Sequence, residues 1–259
     1  MKRFILYLFV SMCGALLMGQ QLDRGFLLSG SVIYEQIDQL NIQMEGDAAQ
    51  FSDLLPKERK SEKILHFTAE ASLYENLQTG EPEEAPDVHS GGGMMIKMAE
   101  PENKMYIDLK AGVQIEQKEF MTRMFLIESE RTKEEWKITG NQKMILEYPC
   151  QEAISSDEEK VVVAWFTPAI AVPVGPGKYG NLPGLVLEVN IDDGAHLLLA
   201  KSVELKALES GLLKKPSKGK EVTEEEYQAI VAEKLKEMGV EHEGGGGGDH
   251  TVVIRIEAD

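Results

Sequence analysis

Residues 104–128 read KMYIDLKAGVQIEQKEFMTRMFLIE. Three short apolar runs, at 104–109, 113–120 and 123–128, follow one another there with only two or three residues between them, Lys110-Ala111-Gly112 and Met121-Thr122. Runs of that length, rich in β-branched and aromatic members and recurring about every ten residues, are the pattern of strands joined by tight turns. The spacing continues on both sides, in MMIKM at 94–98 before it and in runs at 135–139, 143–148, 161–166, 185–190 and 195–205 after it. Turn residues punctuate most of the series: Pro101-Glu102-Asn103, Gly140-Asn141, Ser155-Ser156-Asp157 and Asp192-Asp193-Gly194. In 195–205, Leu197, Leu199, Val203 and Leu205 fall on one face, with His196, Ser202 and Glu204 on the other and Leu198 out of phase. An antiparallel meander with one buried face is the expected result.

Upstream, GFLLSGSVIYEQI at 25–37 reads as a first strand, and 51–55 as a short helix ended by Pro56. In 64–76, Ile64, His66 and Thr68 alternate with Leu65, Phe67 and Ala69, which predicts a single strand; 77–93, rich in Pro, Gly and acid, reads as an exposed loop. Downstream one helix is predicted over 223–238. Thr223 and Glu226 form a capping box, Tyr227, Ile230, Val231, Leu235 and Met238 form an apolar stripe, and Gly239 supplies the stop. Five glycines at 244–248 read as a flexible tether, and TVVIRIE at 251–257 as a last strand.

The chain has 259 residues, 27 Lys+Arg against 44 Asp+Glu, and a formal charge of −17. With 42% apolar residues it can bury a core, and no Lys/Arg cluster is read that would neutralise phosphates, so nucleic acid is not an expected partner. Lys2 and Arg3 followed by an apolar run from Phe4 to Leu17 form a secretory signal, residues 1–20, with cleavage expected after Gly19 or Gln20. Cys13 follows Met12 rather than a small residue, which disfavours lipoprotein processing. No later stretch approaches a membrane-spanning length. An exported protein of the periplasm or outer membrane is expected, with residues 21–259 as one β-rich domain. Cys150 then has no intramolecular disulfide partner, and a buried position on a strand is its simplest reading.

The most specific segment is 165–190, WFTPAIAVPVGPGKYGNLPGLVLEVN. Its core, Gly180 to Leu187, resembles the signature of the GLPGLI family of exported Bacteroidetes proteins of uncharacterised function. FLIES at 125–129, KMILEYPCQEA at 143–153, Trp165-Phe166-Thr167 and Gly175-Pro176 fit the same pattern. Asn181 within the approach to the motif and Val186 in place of Ile depart from it. The resemblance covers roughly 25–205 and says nothing of the C-terminal extension. It is similar in pattern to curved, half-open sheets of the lipoprotein-carrier type with a recurrent GYxC strand, here Glu147-Tyr148-Pro149-Cys150. The implied fold is mainly β: one curved antiparallel half-barrel with the C-terminal amphipathic helix packed on it. Family members are expected beside outer-membrane receptors. Pro149 within a strand implies an edge or a bulge.

Seven prolines and glycines between Pro173 and Gly184 make a loop that is rigid without regular hydrogen bonding. It reads either as a crossover that closes one end of the sheet or as a lip over a binding groove lined by Trp165, Tyr179, Leu182, Pro183 and Gly184. Gly175-Pro176-Gly177-Lys178 is not a phosphate-binding loop, because Tyr179 stands where a Ser or Thr is needed. His242, Glu243, Asp249 and His250 bracket the glycines as candidate metal ligands, although glycines impose no geometry. Met94, Met95, Met98 and Met105 near His89 offer thioethers, with core packing the simpler reading. No nucleophile elbow, C-x-x-C or local Cys–His signature is present, and no cofactor is required. The expected function is therefore a non-catalytic cell-envelope binding or accessory protein carrying or sensing an apolar ligand. An interaction module on a TonB-dependent-type outer-membrane receptor and a metal-handling role are the alternatives.

Overall fold

The computed structural model describes residues 28–40, 57–77, 101–131, 134–156 and 160–237. They form twelve strands and one helix: β1 (Gly30–Gln39), β2 (Glu58–Phe67), β3 (Ala71–Asn76), β4 (Asn103–Asp108), β5 (Val113–Phe120), β6 (Arg123–Glu130), β7 (Lys137–Ile145), β8 (Tyr148–Ser156), β9 (Val161–Thr167), β10 (Leu185–Ile191), β11 (His196–Leu205), β12 (Lys220–Val222) and α1 (Glu224–Glu237). One sheet holds all twelve strands in the order β12-β6-β5-β4-β3-β2-β1-β11-β10-β9-β8-β7. Two meanders, β1 to β6 and β7 to β11, meet back to back at the β1–β11 pair, and every pairing is antiparallel except β12 on β6.

The mainly β architecture with a C-terminal helix is as expected, but the half-barrel is corrected. The sheet is open, with β12 and β7 at its two ends, and it is neither closed nor strongly curled. The physical reason is that the sheet need not wrap around a hollow. The chain's own segment 168–184 lies against it and supplies the apolar partners that curvature would otherwise have to bring together.

Several predicted elements change in detail. The strand expected at 64–76 is two, β2 and β3, turning at Thr68–Glu70. Thr68 Oγ1 accepts from the Glu70 and Ala71 amides, so a side chain closes a turn that contains neither Gly nor Pro. Conversely, the runs at 135–139 and 143–148 are not separate strands. Gly140-Asn141 is a bulge inside β7, with Gly140 at φ 91° and the register on β8 shifting between Ile138 and Gln142. β11 also differs. Its buried residues are His196, Leu198 and Ala200, because the register on β1 passes from Ile33↔Ser202 to Tyr34↔Ala200 and leaves Lys201 as the extra residue. That bulge reverses the parity, so Val203 and Leu205 then pack on the same core as Ala200.

α1 begins as predicted. Glu226 N–H donates to Thr223 Oγ1 at 3.1 Å, and Thr223 N–H donates to the Glu226 carboxylate at 3.0 Å. It does not cover the middle of the sheet. Tyr227 and Val231 pack on Phe125 and Ile127 of β6 and Val222 of β12, so the helix closes one end. Tyr227 stands edge-on to Phe125, with ring centroids 5.4 Å apart. Pro149 falls on β8 opposite Met144 of β7, at the hairpin end and beyond the part of β8 that pairs with β9.

The signal segment with Cys13, the 51–55 helix, the 94–98 run, His89, Met238, the glycine tether, the last strand and nearly all of the 77–93 loop lie outside the described residues. Among the described residues no helix is long and apolar enough to cross a membrane.

Candidate functional site

The segment between β9 and β10 is not a crossover, since the two strands are antiparallel neighbours; it is a long hairpin connection folded back onto the core of the sheet. Ile170, Val172 and Val174 alternate inward, while Ala171 and Pro173 stay exposed. The Val172 amide donates to Ile170 O and the Val174 amide to Val172 O, both at 2.8 Å, a string of tight three-residue turns. Return bonds tie the segment to the start of β10: Leu185 N–H to Ile170 O at 3.0 Å and Val186 N–H to Val174 O at 2.9 Å. Ile170, Val172, Val174, Leu185 and Leu187 pack against Val32, Tyr34, Leu65, Phe67 and Cys150. Tyr179, Leu182 and Val186 pack in a second cluster with Ala153, Ala164, Phe166 and Leu198. The Tyr34 hydroxyl donates to Val186 O at 2.6 Å, and burial pushes its pKa well above the ordinary value.

Two glycines make this close approach possible. A Cβ on Gly175 would stand 2.0 Å from Tyr179 O, and one on Gly184 2.1 Å from Thr167 O. The segment joining β6 to β7 fastens the outer side. Arg131 Nη2 donates to Pro173 O at 2.7 Å, and the Trp136 indole N–H donates to Gly180 O at 2.8 Å.

Of the predicted groove residues, Tyr179, Leu182 and Gly184 are thus buried within this packing and Pro183 is exposed. Trp165, half-buried, packs against the first cluster, the one that holds Ile170, Val172 and Val174, and meets Lys143 and Glu188 on its other side. Lys143 Nζ sits 4.2 Å from the Trp165 ring centroid and 2.7 and 2.8 Å from the Glu188 carboxylate oxygens. Beside it, Glu152 accepts from Thr139 Oγ1 at 2.5 Å and Asn141 Nδ2 at 2.7 Å, which fixes the β7 bulge. Two shallow surface depressions lie away from this connection. One is lined by Val161, Val163, Asn190, Asp192 and Asp193, the other by β6, β12 and α1.

Cys150 is 1% exposed, and burial pushes its thiol up to about 11. Met105 is in the core. His242, Glu243, Asp249 and His250 lie outside the described residues, among which no group of three His, Cys, Asp or Glu side chains is placed to hold a metal.

Two buried histidine pairs were not visible in the sequence, because each joins distant strands. Ser31 Oγ and His66 Nδ1 are 2.7 Å apart across β1 and β2. Burial lowers the His66 pKa, with Glu75 opposing and Lys206 assisting. His196 Nδ1 meets the Asp38 carboxylate across β11 and β1, and Arg59 Nη2 reaches the other oxygen at 2.7 Å. Burial alone would raise the Asp38 pKa, but the hydrogen bonds and charges of His196 and Arg59 together hold it down to about 2. Both are cross-strand ties on neighbouring strands at the centre of the sheet.

A family model described as "Protein of unknown function (Porph_ging)" matches residues 105–188, from β4 into β10, and supports the coarser half of the family expectation: an uncharacterised Bacteroidetes-associated domain. No curated protein matches the chain. Among solved structures, PNGF-II in space group P21 is similar over 79% of this chain at 18% identity and a TM-score of 0.53. PNGF-II in space group C2 is similar over the same share at 19% identity and the same score. At that identity the likeness concerns the fold alone, and the match covers 33% of the PNGF-II chain.

Proposed function

We propose that this chain is an exported GLPGLI-type protein that acts without catalysis, as an interaction module docking on a TonB-dependent-type receptor at the outer membrane. The observation that carries the reading is the β7 edge. Nine residues of strand, about 30 Å of backbone, have no neighbour on their outer side among the described residues. Ile138, Met144 and the adjoining Leu146 are 48%, 62% and 48% exposed. Natural edges are usually blunted by shortness, charge or bulges. β12, at the opposite end, is three residues long. The first half of β7 carries Lys137 and the Gly140 bulge, but the half around Met144 turns its one lysine toward Trp165 and Glu188. An extended segment of a partner can add there as a further strand. The burial of Ile170, Val172, Val174, Tyr179, Leu182 and Leu185 in the chain's own core favours this reading over ligand carriage.

The test is a photo-crosslinking residue placed at Met144 in cells with an intact envelope, with the same residue at Ala207 as control. An adduct with an outer-membrane β-barrel receptor from Met144 and none from Ala207 is expected. No adduct from Met144, together with stoichiometric binding of an apolar dye by the purified protein, would overturn docking in favour of a ligand carrier.

A further inference from the structure

The lower end of the β5–β6–β12 region gathers cations that the overall composition hides. Residues 210–220, SGLLKKPSKGK, hold four lysines and no acid, in a chain of formal charge −17. Lys214, Lys215, Lys218 and Lys220 are all exposed. The structure brings a fifth cation to them. β12 runs parallel to β6 with Lys220 opposite Phe125, and Gly219 packs on the Met124–Phe125 backbone, which sets Arg123, also exposed, at the same end. The Lys218 amide donates to Gln117 Oε1 at 3.3 Å, tying the basic segment to β5. The adjoining elements carry acids as well, among them Glu119 on β5, Glu128 and Glu130 on β6, Glu221 on β12 and Glu224, Glu225, Glu226, Glu233 and Glu237 on α1, but among the described residues no ion pair joins any of them to these five cations. Two exposed apolar side chains flank these cations in the chain: Leu212, 37% exposed, two residues before Lys214, and Met121, 41% exposed, on the β5–β6 turn two residues before Arg123.

We infer that this basic end, flanked by Leu212 and Met121, docks the protein onto an anionic lipid bilayer surface. Unpaired surface cations are attracted to an anionic leaflet within a Debye length, and an exposed apolar tip adds shallow insertion. The composition separates this occupant from the others. Protein interfaces are depleted in lysine and enriched in arginine and aromatic residues, whereas here four of five cations are lysine and no aromatic side chain projects among them. The inference rests on this surface alone and is independent of the β7 reading.

The test is co-sedimentation of the purified full chain with vesicles of pure phosphatidylcholine and with vesicles containing phosphatidylglycerol. Binding is expected only to the anionic vesicles, and it should fall steeply between 50 and 500 mM salt (roughly one Debye-length regime to another). With each lysine worth roughly five-fold in partitioning, the triple variant Lys214→Gln, Lys215→Gln, Lys218→Gln should bind about a hundred-fold more weakly with an unchanged melting temperature. Leu212→Ser should lower binding a few-fold and leave the salt slope intact, and Lys137→Gln on β7 should change nothing. Equal binding to neutral vesicles, or full binding by the triple variant, would overturn the inference. So would retention on poly-glutamate without vesicle binding, which would assign the surface to an acidic protein.

Discussion

Replacing Gly184 by Ala tests whether the β9–β10 connection is a packed structural element or an adaptable lip. The added Cβ would lie 2.1 Å from Thr167 O, 2.6 Å from Thr167 C and 3.0 Å from Pro168 Cα. Ordinary contact begins at about 3.4 Å, so the end of β9 and the start of β10 must part by about 1.3 Å. All three contacts are backbone, and no rotamer change relieves them. The displacement would pull at the Leu185–Ile170 hydrogen bond and at the packing of Leu185 and Leu187 on Tyr34 and Leu65. Overpacking of this kind costs about 3 kcal/mol, a large share of a typical total stability of about 5–15 kcal/mol. In a domain of this size that corresponds to a melting temperature lower by about 6–12 °C. The comparator is Gly194→Ala, where φ is 98° but the space around the Cβ is open, so only conformational strain of about 1 kcal/mol is expected. Urea unfolding followed by tryptophan fluorescence, with Trp136 and Trp165 as reporters, measures both. A Gly184→Ala protein within about 0.5 kcal/mol of the parent would refute the packed reading, because a lip able to move would absorb the methyl group.

Acid stability should depend on Asp38. Its folded pKa is depressed to about 2, so its contribution is complete above the unfolded value near 3.8 and is lost as the pH falls from there towards 2. Asp38→Asn should cost about 2 kcal/mol at pH 7 and almost nothing at pH 2; equal losses at both pH values would contradict the depressed pKa. Cys150, buried and with its thiol pushed up to about 11, should be inert to a thiol reagent at pH 8 in the native protein and react at the rate of unfolding. Rapid labelling of the folded chain would show that the thiol is reachable.

Some of this was readable from the chain and some was not, and the division has a physical basis. Strands β4, β5, β6, β9 and β10 fall where the short apolar runs lie, because period-two patterning and turn residues act within a few neighbours. The capping box is equally local, and α1 starts at it. The Thr68 turn was missed because it is closed by one side-chain oxygen rather than by Gly or Pro. Gly140-Asn141 was misjudged because the same residues serve a turn or a bulge, and Glu152 on the next strand decides between them. Leu198 looked out of phase because the bulge at Lys201 depends on pairing with β1. The basic end was overlooked because a charge of −17 dominates the composition, and Arg123 joins the lysines only through the β6–β12 pairing.

The amino-acid sequence alone determined that this is a β protein, where most of its strands run, and that a proline- and glycine-rich segment holds a special place among them. Those properties follow from interactions between residues close in the chain. Only the tertiary structure decided that the sheet stays open, that the special segment is buried in its core, that the helix closes one end, and that Asp38 meets His196 across 158 residues. Each of these depends on strand order and register, which are set by the free energy of the whole packed sheet and are encoded in no single stretch.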